Sequence, residues 1–281
     1  MIDRIFHFVD GEFCEDPKIS ALDLGVLRGY GVFDYAQVHE GRPFHLMDHL
    51  KRLAWSARQV GLKVPVGLEE LEEITLALLE KNPPIDAGIR FVVTGGVSHK
   101  DQLLPIQSAS LMIFFHPFSP IYSEGMRVIT TDQLRFMPEV KTTNYMPAIF
   151  AMREAQGKGF DDAIYLNEGR ELLEGTTSNL FFFKEGKLIT TQEEIVKGVT
   201  REIVLQLAKE HYPIELRPLH FEELPRCDEA FLTSSRKGMV PLIQIEEQTI
   251  GNGRPGLQTT HLRDLFVSYQ NHYFSEYLQK N

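Results

Sequence analysis

Hairpin turns between strand-like runs constrain this 281-residue chain more than any other feature. Asp10-Gly11 interrupts an alternating run over residues 5–13, and Glu185-Gly186 interrupts a second over 179–190. Such pairs join antiparallel neighbours, whereas parallel doubly wound sheets and barrels need a crossover between successive strands. Runs rich in β-branched and aromatic residues predict further strands at 89–94, 110–115, 126–131, 162–166, 229–233 and 239–243. Leu46, Leu50, Leu53, Ala57 and Val60 recur at steps of three and four and predict a helix over 46–60. Similar patterns predict helices over 68–80, 147–156, 200–211 and from about 259. The mixture implies an α/β (α+β) chain of two domains, neither a Rossmann sheet nor a TIM barrel. Pro117 and Pro120 lie among small polar residues between two strand runs. They mark a linker at 117–125, between domains at 1–116 and 126–281.

Composition narrows the partners. A net charge of −10 argues against nucleic acid, whose phosphates need a basic face. No apolar run reaches the ~20 residues needed to cross a bilayer, and the start, Met1-Ile2-Asp3-Arg4, has no apolar signal region. Two cysteines, Cys14 and Cys227, are too few for a disulfide framework or a zinc site, which fits a reducing cytoplasm. No Gly-rich dinucleotide fingerprint and no Walker motif is present.

Several short segments carry residues that can do chemistry, and each also has a plain structural reading. Lys141 sits in Val140-Lys141-Thr142-Thr143-Asn144-Tyr145, just before a helix, where a solvated lysine is the ordinary finding. Glu174 lies in Glu174-Gly175-Thr176-Thr177-Ser178-Asn179, read as a turn between strands. Gly198-Val199-Thr200-Arg201 opens a helix, so Thr200 serves either a cap or an anion on the exposed N–H groups. Thr233-Ser234-Ser235 ends a strand and offers hydroxyl and N–H donors. His49 and Arg52 stand one turn apart at the edge of the first helix's apolar face.

In order along the chain, these segments resemble the class IV (fold-type IV) pyridoxal-phosphate aminotransferases, the group of the branched-chain and D-amino-acid enzymes. Arg28 to Asp34, Gly41-Arg42-Pro43-Phe44 and His49-Leu50-Lys51-Arg52 resemble the family's N-terminal domain. The Lys141 loop, the Glu174 motif, Gly198 to Arg201, Phe231 to Ser235 and the Ile250 to Gly256 turn follow collinearly. The resemblance implies a D-amino-acid-aminotransferase-like fold, with pyridoxal 5'-phosphate in a cleft between domains and a homodimer whose partner completes the site. It implies that Lys141 carries the cofactor and shuttles protons, that Glu174 faces the ring nitrogen, and that Arg52 binds the phosphate with Val199, Thr200, Ser234 and Ser235. Tyr145 matches a position near the cofactor's phenolic oxygen. The implied reaction moves an amino group between an α-amino acid, branched-chain-like or D, and a 2-oxo acid. A relative in the same family, 4-amino-4-deoxychorismate lyase, uses the same parts to eliminate pyruvate. A catalytically silent binding protein is the reading of another class, and retention of Lys141, Glu174 and Arg52 together argues against it.

The substrate side departs from the pattern. Where the family's substrate-carboxylate arginine would stand, the sequence reads Thr94-Gly95-Gly96-Val97-Ser98-His99-Lys100, and Gln37 occupies a second such position. Phe33, Gln37, Gly96 and Lys237 are the substrate candidates. Lys237 offers a cation, Gly96 offers backbone N–H groups that approach a ligand closely, and His99 and Lys100 are further cations.

Overall fold

The structure, a computed structural model, describes residues 4–98, 109–118 and 124–280, with side chains to 276. The chain forms two compact units. One comprises Met1–Pro120, Val140–Asn144 and Tyr273–Asn281, the other Ile121–Glu139 and Tyr145–His272. The sequence suggests a single break, yet the segment bearing Lys141 and the end of the chain both pack with the first unit. Residues 119–123 of the expected linker, and His99 and Lys100, lie outside the described residues.

In the first unit β1 (His7–Val9), β2 (Glu12–Cys14), β3 (Gly31–His39), β4 (Arg42–Pro43), β5 (Ala87–Thr94) and β6 (Ser110–Pro117) form an antiparallel sheet in the order β2-β1-β6-β5-β3-β4. Asp10 and Gly11 take φ of 45° and 101° and make the β1–β2 turn their sequence predicts. Strand β3 is not among the strands expected from sequence. It pairs with β5 from Gly31↔Thr94 to Val38↔Ala87. Val32, Asp34, Ala36 and Val38 form its buried face, while Phe33, Tyr35 and Gln37 are half-buried on the other.

Helix α1 (Leu24–Arg28) is short and capped by Asp23. Helix α2 (Leu46–Gln59) buries Leu46, Leu50, Leu53 and Ala57, the predicted stripe, and His49 and Ser56 with them. Each leucine fully removed from water contributes roughly 1.5–3 kcal/mol. Helix α3 (Leu68–Glu80) has the bounds its periodicity predicts.

The second unit holds β7 (Met126–Thr131), β8 (Asp162–Leu166), β9 (Glu171–Gly175), β10 (Asn179–Lys184), β11 (Lys187–Thr190), β12 (Ile214–Leu216), β13 (Leu219–His220), β14 (Glu229–Ser234), β15 (Gly238–Ile245) and β16 (Gln248–Thr249). They form one mixed sheet in the order β12-β11-β10-β14-β15-β7-β8-β9-β13, with β16 on β15. One further pairing, Asn179↔Glu174, joins β10 to β9 and closes the strands between them into a ring. Leu180 and Phe182 point to a core shared with Leu232, Val240 and Leu242, whereas Phe181 stacks on Phe231 at 4.8 Å on the opposite side. Both faces of β10 are therefore buried, which explains its continuous apolar run. Helices α4 (Met146–Gly157), α5 (Val199–Ala208) and α6 (Leu257–Lys280) complete the fold. Among the described residues no helix is long and apolar enough to cross a membrane.

Candidate active site

In the first unit the backbone holds Lys141 against β3. Thr142 bridges Val32, the Phe33 N–H donates to the Lys141 carbonyl at 2.9 Å, and the Thr143 N–H donates to the Gly31 carbonyl at 2.9 Å. Lys141 is half-buried, with Nζ 4.6 Å from the centre of the Phe33 ring. An ammonium over an aromatic face is attracted by the ring's negative face. The lysine is thus placed by a strand and not waving on a loop.

Beside it lies a charged cluster that the sequence does not announce. Asp34 is fully buried on β3. Its Oδ1 accepts from His49 Nδ1 at 2.7 Å and Arg52 Nη2 at 2.8 Å, and its Oδ2 accepts from Arg52 Nε at 2.8 Å. Burial alone raises the Asp34 carboxyl, but Arg52's charge and hydrogen bonds, with those of His49, outweigh it and hold it well below the carboxylate range. Burial holds the His49 imidazole below its ordinary value against the pull of Asp34, which its Nδ1 faces. Arg52 therefore lies with its Nε–Nη2 edge locked to Asp34 and is not a simple phosphate fork.

The Thr94-Gly95-Gly96 loop has a structural reason for its glycines. A Cβ on Gly95 would collide with the Tyr30 ring, and Gly96 takes a φ of +71°. The Gly95 N–H donates to the Tyr30 carbonyl at 3.0 Å, and the Gly96 N–H reaches Thr94 Oγ1 at 3.4 Å. The Gly95 amide thus serves the loop's own packing, while the Gly96 amide makes only a long contact.

In the second unit Glu174 is not in a turn but on β9, and it is buried. Arg135 Nη1 donates to its Oε1 at 2.7 Å, and Asn179 Nδ2 and the Val196 N–H each donate to Oε2 at 3.2 Å. Asn179 also donates to the Val196 carbonyl at 2.7 Å. Gly198, the residue before α5, lets Asn179 pack against the helix start, for a Cβ there would strike Asn179 Oδ1. No side chain caps α5, so the N–H groups of its first turn, which includes Val199 and Thr200, are not satisfied by a cap. Asn179 thus links a buried carboxylate to a helix N-terminus suited to an anion.

The remaining candidates are dispersed through the second unit. Tyr145 precedes α4 and is half-buried. Ser234 and Ser235 lie at the β14–β15 turn, with Ser234 Oγ accepting the Lys237 N–H at 3.2 Å. Thr233, the register partner of Asn179, has a buried hydroxyl with no hydrogen-bond partner among the described residues. Lys237 Nζ lies 3.5 Å from the buried Asp162 carboxylate, which also accepts from Thr176 Oγ1 at 2.6 Å. The cation suggested as a substrate anchor therefore has a carboxylate beside it. Asp34, Asp162, Asn179 and Arg135 carry no role in the sequence reading. Asp34 has a signal, a carboxylate on a strand face otherwise formed by Val32, Ala36 and Val38. Arg135 has none, because its segment is irregular. Among the described residues no cluster of His, Cys, Asp and Glu could hold a metal.

The amino-transferase class IV family model matches residues 31–245. A Methanocaldococcus jannaschii protein assigned by name as a branched-chain-amino-acid aminotransferase is 34% identical over 92% of this chain and 94% of its own. D-alanine aminotransferase of Staphylococcus epidermidis is 28% identical over 93% of this chain and 96% of its own. Among solved structures, the branched-chain aminotransferase of the thermophilic archaeon Thermoproteus uzoniensis, with norvaline, is 29% identical. It superposes with a TM-score of 0.87, covering 94% of this chain and 93% of that one. A T.th. branched-chain amino acid aminotransferase, complexed with N-(5'-phosphopyridoxyl)-L-glutamate, is 27% identical. Its TM-score is also 0.87, over 95% of this chain and 94% of that one.

Proposed function

The chain belongs to the class IV aminotransferase family, and from that premise we propose that it transfers an amino group between an α-amino acid and a 2-oxo acid with pyridoxal 5'-phosphate. The observation that carries this reading is the buried Glu174 carboxylate held by three donors. The residues present fit the cofactor. A strand-held lysine can bond its aldehyde, a buried carboxylate suits a cationic ring nitrogen, and an uncapped helix start beside the unpartnered Thr233 hydroxyl suits its phosphate. When bound, it supplies a protonated ring that accepts the electrons released at the substrate's α-carbon.

The protein's own groups do the rest. Lys141 Nζ would hold the cofactor and, once free, would serve as the base for the substrate's α-proton. Glu174 would face the ring nitrogen and keep its proton in place. Val199, Thr200, Ser234 and Ser235 offer donors to the phosphate, with Arg52 oriented by Asp34. Tyr145 is the proposed neighbour of the cofactor's phenolic oxygen. Phe33 and Gln37, which share the half-buried face of β3, are proposed with Gly96 and Lys237 as the substrate side. Relatives named for branched-chain and for D-alanine substrates make both classes donors to test.

A homodimer is the proposed assembly. Met146, Ile149 and Phe150, exposed on neighbouring positions of α4, support it by offering an apolar face to a second copy. A cytoplasmic setting fits the two free cysteines. A panel of L- and D-amino donors with 2-oxoglutarate and pyruvate as acceptors tests the activity. Product amino acid from at least one donor is expected. Inactivity across the panel, with pyruvate released from aminodeoxychorismate instead, would replace transfer by elimination.

A further inference from the structure

We propose that Arg135 is a positioning residue that acts on the cofactor's ring nitrogen through Glu174. The inference rests on the assignment of Glu174 to that nitrogen. Arg135 and Glu174 form a buried ion pair, each side chain 6% exposed, with Nη1 to Oε1 at 2.7 Å. Their residues are 39 apart in sequence, and Arg135 comes from the irregular segment after β7.

Two physical consequences follow from the pair. A buried carboxylate without compensating donors is costly, so the guanidinium offsets the charge Glu174 needs in order to face a cation. The donors also fix direction. Oε1 is held by Arg135, and Oε2 is held by Asn179 and the Val196 N–H, so the carboxylate plane is set before any ligand arrives. An oxygen with two lone pairs accepts a second donor, so the Arg135 bond and a ring N–H contact are compatible on one carboxylate. Further polar groups are close at hand. Arg201, buried at the start of α5, and the buried Tyr165 hydroxyl both interact electrostatically with Glu174, and Tyr165 interacts with Arg135 as well. Glu174 thus lies near two guanidinium groups, those of Arg135 and Arg201. Loss of Arg135 changes how Glu174 meets the ring, not merely whether the sheet is stable.

The test compares two ligands of the apo-protein, pyridoxal phosphate and its 1-deaza analogue, which has carbon in place of the ring nitrogen. Binding is read by titration, with no turnover required. The parent should prefer pyridoxal phosphate, and Arg135→Gln should lower that preference at least tenfold. Arg135→Lys should restore part of it. A loss of affinity equal for both ligands, or an unchanged preference, would overturn the proposal. Should Arg135→Gln fail to fold, the neutral pair Arg135→Gln/Glu174→Gln decides. If Arg135 acts through Glu174, the double variant shows the same preference as Glu174→Gln alone, and a further change of tenfold contradicts it. Glu174→Gln also separates the two claims. If it keeps the parent's preference, the assignment of Glu174 to the ring nitrogen fails. If it loses the preference while Arg135→Gln keeps it, only the role of Arg135 fails.

Discussion

Asp34→Asn is the substitution whose cost the structure specifies most fully. The carboxylate is fully buried and accepts from Arg52 twice, from His49 and from the Tyr35 N–H at 2.7–2.8 Å. Asparagine keeps one acceptor oxygen, places an NH2 against a donor, and leaves the mostly buried Arg52 charge without its counter-ion. Removing one partner of a buried pair costs roughly 3–5 kcal/mol. At about 2–4 °C per kcal/mol for a chain of this size, the apo-protein should melt roughly 6–20 °C lower at neutral pH. The pH dependence has a definite sign. Asp34 is held below the ordinary aspartate value of 3.8, so its stabilisation is complete above that value and is lost as pH falls below it. The gap between parent and variant should therefore narrow below about pH 4. Thermal melts at pH 7 and pH 2 by circular dichroism provide the assay. A shift under about 2 °C at pH 7, or a gap that does not narrow in acid, would refute the reasoning.

Two further outcomes are expected. Glu223 is held to about 2, first by its hydrogen bonds to Arg217 and then by those to Lys184, against a desolvation that raises it. Its stabilisation should be full above about pH 4.5 and vanish as pH falls towards 2, so Glu223→Gln, roughly 1–2 kcal/mol less stable at pH 7 by urea unfolding, should match the parent near pH 2. Because Lys237 pairs with Asp162, Lys237→Ala should lower stability by about 1 kcal/mol or more, and loss of this proposed substrate anchor should raise the Michaelis constant of the amino donor about tenfold. A constant within about threefold of the parent's, with stability lowered, would leave Lys237 to Asp162 alone.

Much of the fold is written locally. Helix α3 and strands β7 and β8 follow their periodicity to the residue, and the Glu185-Gly186 turn joins β10 to β11. Strand β3 is hidden because Gly31 and Asp34 interrupt its apolar alternation, while its strand character comes from pairing along β5. The return of Val140–Asn144 to the first unit is equally illegible, since it rests on backbone bonds to Gly31 and Phe33, distant in sequence. At the site, Lys141 and Glu174 are visible through their motifs. Their settings are not, because Asp34 binds Arg52 across a strand and a helix, and Arg135 reaches Glu174 from an irregular segment. The neighbours of the substrate candidates are equally hidden: Gly95 packs on the Tyr30 ring and Lys237 lies 3.5 Å from Asp162.

The central claim is that Lys141 is the lysine that bonds pyridoxal phosphate. Borohydride reduction of cofactor-saturated protein, followed by proteolysis and mass spectrometry, measures it directly. One phosphopyridoxyl group per chain is expected, on the peptide that contains Lys141, and none after Lys141→Ala. A label on any other lysine of the saturated parent, or no label at all, would contradict it.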